Sequence, residues 1–161
     1  MTRKILFPLI FLCLATPAWA QRERLGIFSF WGSFRENERC YAIAEPHQGP
    51  RAEAWRPFAS VAFWTGRGSG AQLHVRLSRE KRAGSAVLLR IDGRTFQMMA
   101  GARDAWAPDA RADAAILAAM RTGVEMSVEP RSTRGGLVRD HYRLRGAATA
   151  VDAAAIACAR R

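Results

Sequence analysis

Through most of the chain apolar and polar residues alternate with a period of two. Leu73, Val75 and Leu77 interleave with Gln72, His74, Arg76 and Ser78, the pattern of a strand with one face in a core. Val87, Leu89 and Ile91 alternate up to Asp92-Gly93, and Phe96 and Met98 resume the alternation beyond it. A two-residue Asp-Gly turn pairs Ile91 with Arg94, Leu89 with Phe96 and Val87 with Met98, so the large apolar partners share one face. Further strands are expected over 26–34, 39–44, 58–64, 124–128 and 137–144. The stretch 46–57, with its prolines and charges, reads as a loop. Residues 66–70 read as a glycine-rich turn, and 131–136 as the turn joining the last two strands.

The period lengthens to that of a helix twice. Pro108-Asp109 caps an alanine-rich run over 110–121, in which Ala112, Ile116, Ala119 and Met120 share a face, and Gly123 closes it. A second, short helix fits 147–159. There Val151, Ala154, Ala155 and Cys158 fall at i, i+3, i+4 and i+7, which turns Cys158 inward with Val151 and leaves Ile156 pointing elsewhere. Seven or eight short strands, one inserted α-helix and a short C-terminal helix predict a mainly β fold, a β-sandwich of roughly immunoglobulin size. The Cys-Trp-Cys spacing of antibody domains is missing.

Residues 1–20 follow neither pattern. Arg3 and Lys4 precede an apolar run from Ile5 to Ala15, and Ala18-Trp19-Ala20 follows Pro17 with small residues where signal peptidase needs them. The apolar run is shorter than the roughly 20 residues that span a bilayer. Bulky residues before Cys13 do not fit a lipobox. This predicts a signal peptide cleaved after Ala20 and a single domain over 21–161, periplasmic or secreted, with no transmembrane segment in the mature chain.

Export changes how charge and cysteine are read. Residues 1–20 carry two of the 25 Lys and Arg and none of the 14 Asp and Glu, so the remainder holds a net charge of +9. Lys81 is its one lysine. Outside the cytoplasm nucleic acid is not the partner of such a chain. The anions at hand are lipid A phosphates, acidic phospholipid headgroups and peptidoglycan carboxylates. Cys40 and Cys158 are the two cysteines left, and an isolated pair in an oxidising compartment is expected to form a disulfide.

Four short stretches carry a family likeness: Arg39-Cys40-Tyr41-Ala42-Ile43-Ala44, Leu89-Arg90-Ile91-Asp92-Gly93, Ala118-Ala119-Met120-Arg121-Thr122-Gly123, and the run from Tyr142 to Asp152. In this order, over most of residues 27–158, they resemble the invasion associated locus B family of exported alphaproteobacterial proteins. The resemblance implies an immunoglobulin-like β-sandwich, an envelope or secreted location and a role linked in some pathogens to host-cell invasion. It implies no catalytic residues. Many members carry a Cys-x-x-x-Gly-Cys-like pair just before the helix. This chain has Ala100-Gly101-Ala102-Arg103-Asp104-Ala105-Trp106 there, which marks a divergent member.

Candidate chemistry is sparse. On the strand 137–144, Val138, Tyr142 and Leu144 are expected to face the core, with Arg139, His141, Arg143 and Arg145 on the opposite face about 7 Å apart. Such a row suits phosphates or carboxylates, which guanidinium groups grip with paired hydrogen bonds. Equally, it reads as a solvated strand face partly neutralised by Glu125 and Glu129. His47, His74 and His141 show no metal-ligand spacing. Asp140 and His141 are adjacent on a strand and point to opposite faces, so they form no relay. Gly66-Arg67-Gly68-Ser69-Gly70 lacks the P-loop ending. Trp31 and Trp64 are expected in the core. Trp55 and Trp106 are assigned to loops, where they either form a binding surface with Phe58 or pack at the rim. The expectation is a non-enzymatic protein with no cofactor or metal. It acts by binding an envelope or host ligand, or as a structural or stress-protective module holding acidic glycolipid on the arginine row.

Overall fold

A computed structural model describes residues 22–50, 55–66 and 70–159. The signal-peptide reading falls on 1–20, outside the described residues. Ten strands and two helices follow one another as β1 (Glu23–Phe28), β2 (Trp31–Glu36), β3 (Arg39–Ala44), β4 (Phe58–Trp64), β5 (Gln72–Arg76), β6 (Val87–Ile91), β7 (Arg94–Ala100), β8 (Asp104–Trp106), α1 (Ala110–Thr122), β9 (Glu125–Pro130), β10 (Asp140–Arg143) and α2 (Ala147–Ala159). The fold is mainly β with two helices. No helix among the described residues is long and apolar enough to cross a membrane.

The strands form one antiparallel ladder in the order β1-β2-β3-β4-β5-β8-β7-β6-β9-β10. It curls back on itself. The amide of His141 in β10 donates to the Gln48 carbonyl at 2.8 Å, and the His47 amide donates to the His141 carbonyl at 2.9 Å. The last strand therefore rests against the segment that leaves β3. The buried Trp31 of β2 donates its indole N–H to the Arg143 carbonyl at 2.9 Å. One core results, to which Ala42, Val61, Leu73, Val75, Leu89, Ile91, Met126, Val128 and Tyr142 all contribute.

Both helices close that core. Asp109 caps α1 by accepting the Ala112 amide at 2.8 Å, and Ile116, Ala119 and Met120 are buried. On α2, Val151, Ala154 and Cys158 are buried and Ile156 is exposed, as the helical spacing predicts. Cys158 forms a disulfide with Cys40 of β3 across 118 positions, with the two Cα atoms 5.8 Å apart. In the chain-entropy account, closing so long a loop stabilises by about 5 kcal/mol. The β6–β7 hairpin has the register that the alternation predicts, with Val87 opposite Met98, Leu89 opposite Phe96 and Ile91 opposite Arg94.

Three expectations are corrected. The single strand over 26–34 is a hairpin: β1 and β2 are separated by a turn at Ser29 and Phe30, with Ser29 at φ 57°. Glycine usually marks a positive φ, and a serine inside an aromatic run gives no such warning. Trp106 lies in β8, not in a loop; a strand of three residues is too short to show alternation. Trp64 lies on the outward face of β4 and is half-buried, whereas Trp31 is fully in the core.

Candidate functional site

Helices and core occupy the inner face of the ladder, and the outer face carries the polar chemistry. Across β2 to β5 and β8 the outward positions are Phe34 opposite Tyr41, Ile43 opposite Ser60, Ser60 opposite His74, and His74 opposite Trp106. Arginines lie over several of these rings. The Arg22 guanidinium stands 5.7 Å from the Phe34 centroid, Arg39 is 4.6 Å from Tyr41 and Arg76 is 5.6 Å from Phe58. Further pairs form between Arg94 and Phe96, Arg103 and Trp55, and Arg143 and Phe30. A guanidinium close over a ring face keeps its charge and is drawn to the ring electrostatically.

The predicted row Arg139, His141, Arg143 and Arg145 is split. Only His141 and Arg143 lie within β10. Arg139 is drawn to Glu129 at 3.4 Å, and Glu129 also holds Arg90 at 3.3 Å. Arg143 lies opposite Glu125 in register and covers the Phe30 ring at 5.0 Å. Arg145 follows the strand, with its carbonyl accepting the Phe30 amide at 3.4 Å. The neutralisation expected from the preceding strand is thus strongest at the Arg139 end. Arg143 and Arg145 flank the tip of the β1–β2 hairpin.

The most connected polar cluster was not read from the sequence. His74 Nε2 and Asp104 Oδ1 are 2.8 Å apart, and Arg76 Nε donates to the same oxygen at 3.0 Å. The His74 ring stacks on Trp106 with centroids 5.4 Å apart and meets Phe58 edge-on at 5.1 Å. Burial alone would raise the Asp104 carboxyl, but the hydrogen bonds from His74 and Arg76 outweigh it and hold the group below its ordinary range. The Ser60 hydroxyl is directed to the His74 carbonyl rather than its ring, so the three side chains do not line up as a nucleophile, base and orienter. Phe58 and Trp106 therefore share this cluster, and Trp55 packs with Arg103 instead while donating to the Leu77 carbonyl at 2.6 Å.

Two further groups come from folding. His47 and His141, far apart in sequence, have ring centroids 6.4 Å apart. Among the described residues no group of three or more His, Cys, Asp or Glu converges as a metal site would. Asp140 is fully buried and accepts both the amide and the hydroxyl of Ser78. Burial pushes its carboxyl above the ordinary range, with the Ser78 bonds and the charges of His141 and Arg79 offsetting only part. The signal for it was present, because Asp140 shares the parity of Val138, Tyr142 and Leu144.

One cleft opens on the outer face beside the hairpin. It has a volume of about 350 Å³ and is lined by Arg22, Ile27, Phe30, Phe34, Ile43 and Glu45 among others. No family profile, curated protein or solved structure matches this chain.

Proposed function

We propose that the protein is an exported envelope or secreted protein that acts by binding an acidic partner rather than by catalysis. The observation that carries this reading is Arg143, laid over the Phe30 ring beside Arg145 at the hairpin tip, both outside the ion pairs that hold Arg22, Arg39, Arg76 and Arg103. Guanidinium groups so backed are pre-oriented donors for phosphate and carboxylate oxygens, and the planar fork binds such groups in pairs. The His74–Asp104–Arg76 cluster serves the same face. Its carboxylate is spent on two neighbours and its imidazole is clamped between two rings, which makes it a brace for Phe58 and Trp106.

Export is supported by the signal-like first twenty residues and by the buried Cys40–Cys158 bond, which suits an oxidising compartment. The resemblance to the invasion associated locus B family supports both the location and a sandwich of immunoglobulin type, and extends the reading to a host-facing role. The partner class follows from charge and compartment together: an envelope polyanion such as a phosphorylated glycolipid. Titration with purified lipopolysaccharide tests it. Binding should be salt-sensitive and should weaken on charge reversal at Arg143 and Arg145. Binding that is absent, or that salt does not touch, removes the proposal.

A further inference from the structure

We propose that the tip of the β1–β2 hairpin and the cleft beside it dock on a bilayer surface rich in phosphate-bearing lipid, an inference that rests on the acidic-partner reading. Two apolar side chains protrude here: Ile27 is 59% exposed and Phe30 is 43% exposed. Both line the cleft whose walls include Phe34 and Ile43. Gly32 stands between Ile27 and Ile43 in the register of the outer face, and its bare backbone makes room for those walls. A Cβ at Gly32 would lie 2.7 Å from the Phe34 ring and 3.1 Å from Ile27 Cδ1.

Each protruding group has cationic neighbours. Arg143 covers the Phe30 ring, and Arg145 is tied through its carbonyl to the Phe30 amide. Arg22 lines the same cleft from above Phe34. Of the acidic residues nearby, Glu23 pairs with Arg35 at 3.1 Å, Glu45 with Arg56 at 3.1 Å, and Glu36 with Arg39 at 3.5 Å and Arg22 at 4.0 Å, while Glu125 lies opposite Arg143 in register. Among the described residues no ion pair forms at Arg24, Arg143 or Arg145, so the local charge is positive. Apolar side chains that stand out beside arginines fit the boundary of a bilayer. There the hydrocarbon enters the upper acyl layer and the guanidinium groups meet the headgroup phosphates. A soluble polyanion would use the arginines and gain nothing from Ile27 or Phe30, which is why lipid is the occupant the surface favours.

Flotation of the oxidised protein with phosphatidylcholine vesicles, with and without phosphatidylglycerol, tests this. The protein should float with the anionic vesicles alone. The R143Q/R145Q double variant should bind roughly 30-fold more weakly, at about 1 kcal/mol for each arginine near an anionic surface. I27S/F30S should lose at least about tenfold, because the apolar anchoring is gone while every charge remains. R111Q, on the far exposed part of α1, should bind as the parent does. All five side chains are at the surface, and an unchanged melting temperature will show that the variants are folded. Vesicle binding that I27S/F30S leaves intact overturns the inference, as does an absence of vesicle binding. If soluble delipidated phosphorylated glycan still binds in the latter case, the acidic-partner reading survives without this surface; if neither binds, both fall.

Discussion

Ser78 and Asp140, 62 positions apart, meet inside the protein. The Asp140 carboxylate accepts the Ser78 amide at 2.9 Å with one oxygen and the Ser78 hydroxyl with the other. Ser78 lies just beyond β5, and Asp140 opens β10, so the pair fastens the middle of the ladder to its last strand. Gly49 fits closely against it, since a Cβ there would stand 2.9 Å from the carboxylate. The contact also fixes the outward face, because Asp140 pointing inward obliges His141 to point out.

That pair predicts a pH dependence. The folded carboxyl titrates above its ordinary value, because burial opposes its charge. The folded state then holds its proton more firmly than the unfolded chain, so this group's contribution to stability declines as pH rises from about 4 through the folded value. Urea unfolding across that window should show the decline in the parent and a smaller one in Asp140→Asn, where Asp113, also raised by burial, still titrates. In Asp140→Asn the Ser78 hydroxyl can reverse and accept from the amide. Asp140→Ala leaves both Ser78 donors buried and should cost about 2 kcal/mol or more at every pH.

Asp104 should behave in the opposite sense. Burial raises it, but the His74 and Arg76 hydrogen bonds prevail and its folded carboxyl titrates low. Its stabilisation is present above the ordinary carboxyl value and fades as pH falls through the depressed one. The group is partly exposed, so Asp104→Asn should cost only about 1 kcal/mol at neutral pH and nearly nothing in strong acid. Equal losses at both pH values would contradict the arrangement around His74.

Gly146 is a backbone requirement of the β10–α2 connection. It sits at φ 89°, and a Cβ there would fall 1.8 Å from the Phe28 carbonyl oxygen. Gly146→Ala should therefore lower stability by more than about 2 kcal/mol, from left-handed strain together with displacement of the β1–β2 hairpin. Thermal melts of the two proteins decide it; an unchanged melting temperature would mean that the hairpin does not rest where described.

Reduction of the Cys40–Cys158 bond, or Cys40→Ala with Cys158→Ala, should lower the unfolding free energy by up to about 5 kcal/mol, read as a lower urea midpoint.

Much of this fold was legible where local pattern and burial agree. The β6–β7 register and the inner face of α2 follow from spacing, since Val87, Leu89 and Ile91 have only one face to bury. The hairpin at Ser29 was not legible, because glycine is the usual marker of a positive φ and a serine inside an aromatic run carries no such signal. The outer-face site was hidden for a related reason. His74, Asp104 and Phe58 look like isolated surface residues until β8 is laid beside β5, and three residues carry too little alternation to announce a strand. Of the arginine row, the strand parity was correct and its electrostatics depended on Glu129, whose double engagement with Arg90 and Arg139 needs β6 and β10 on either side of β9.

A binding titration of the oxidised protein with purified phosphorylated glycolipid, performed at low and at high salt, decides whether its arginines hold an acidic partner. Binding should weaken steeply as salt rises and fall further in the Arg143→Glu/Arg145→Glu protein. Binding indifferent to salt, or no binding at either concentration, would contradict the acidic-partner reading.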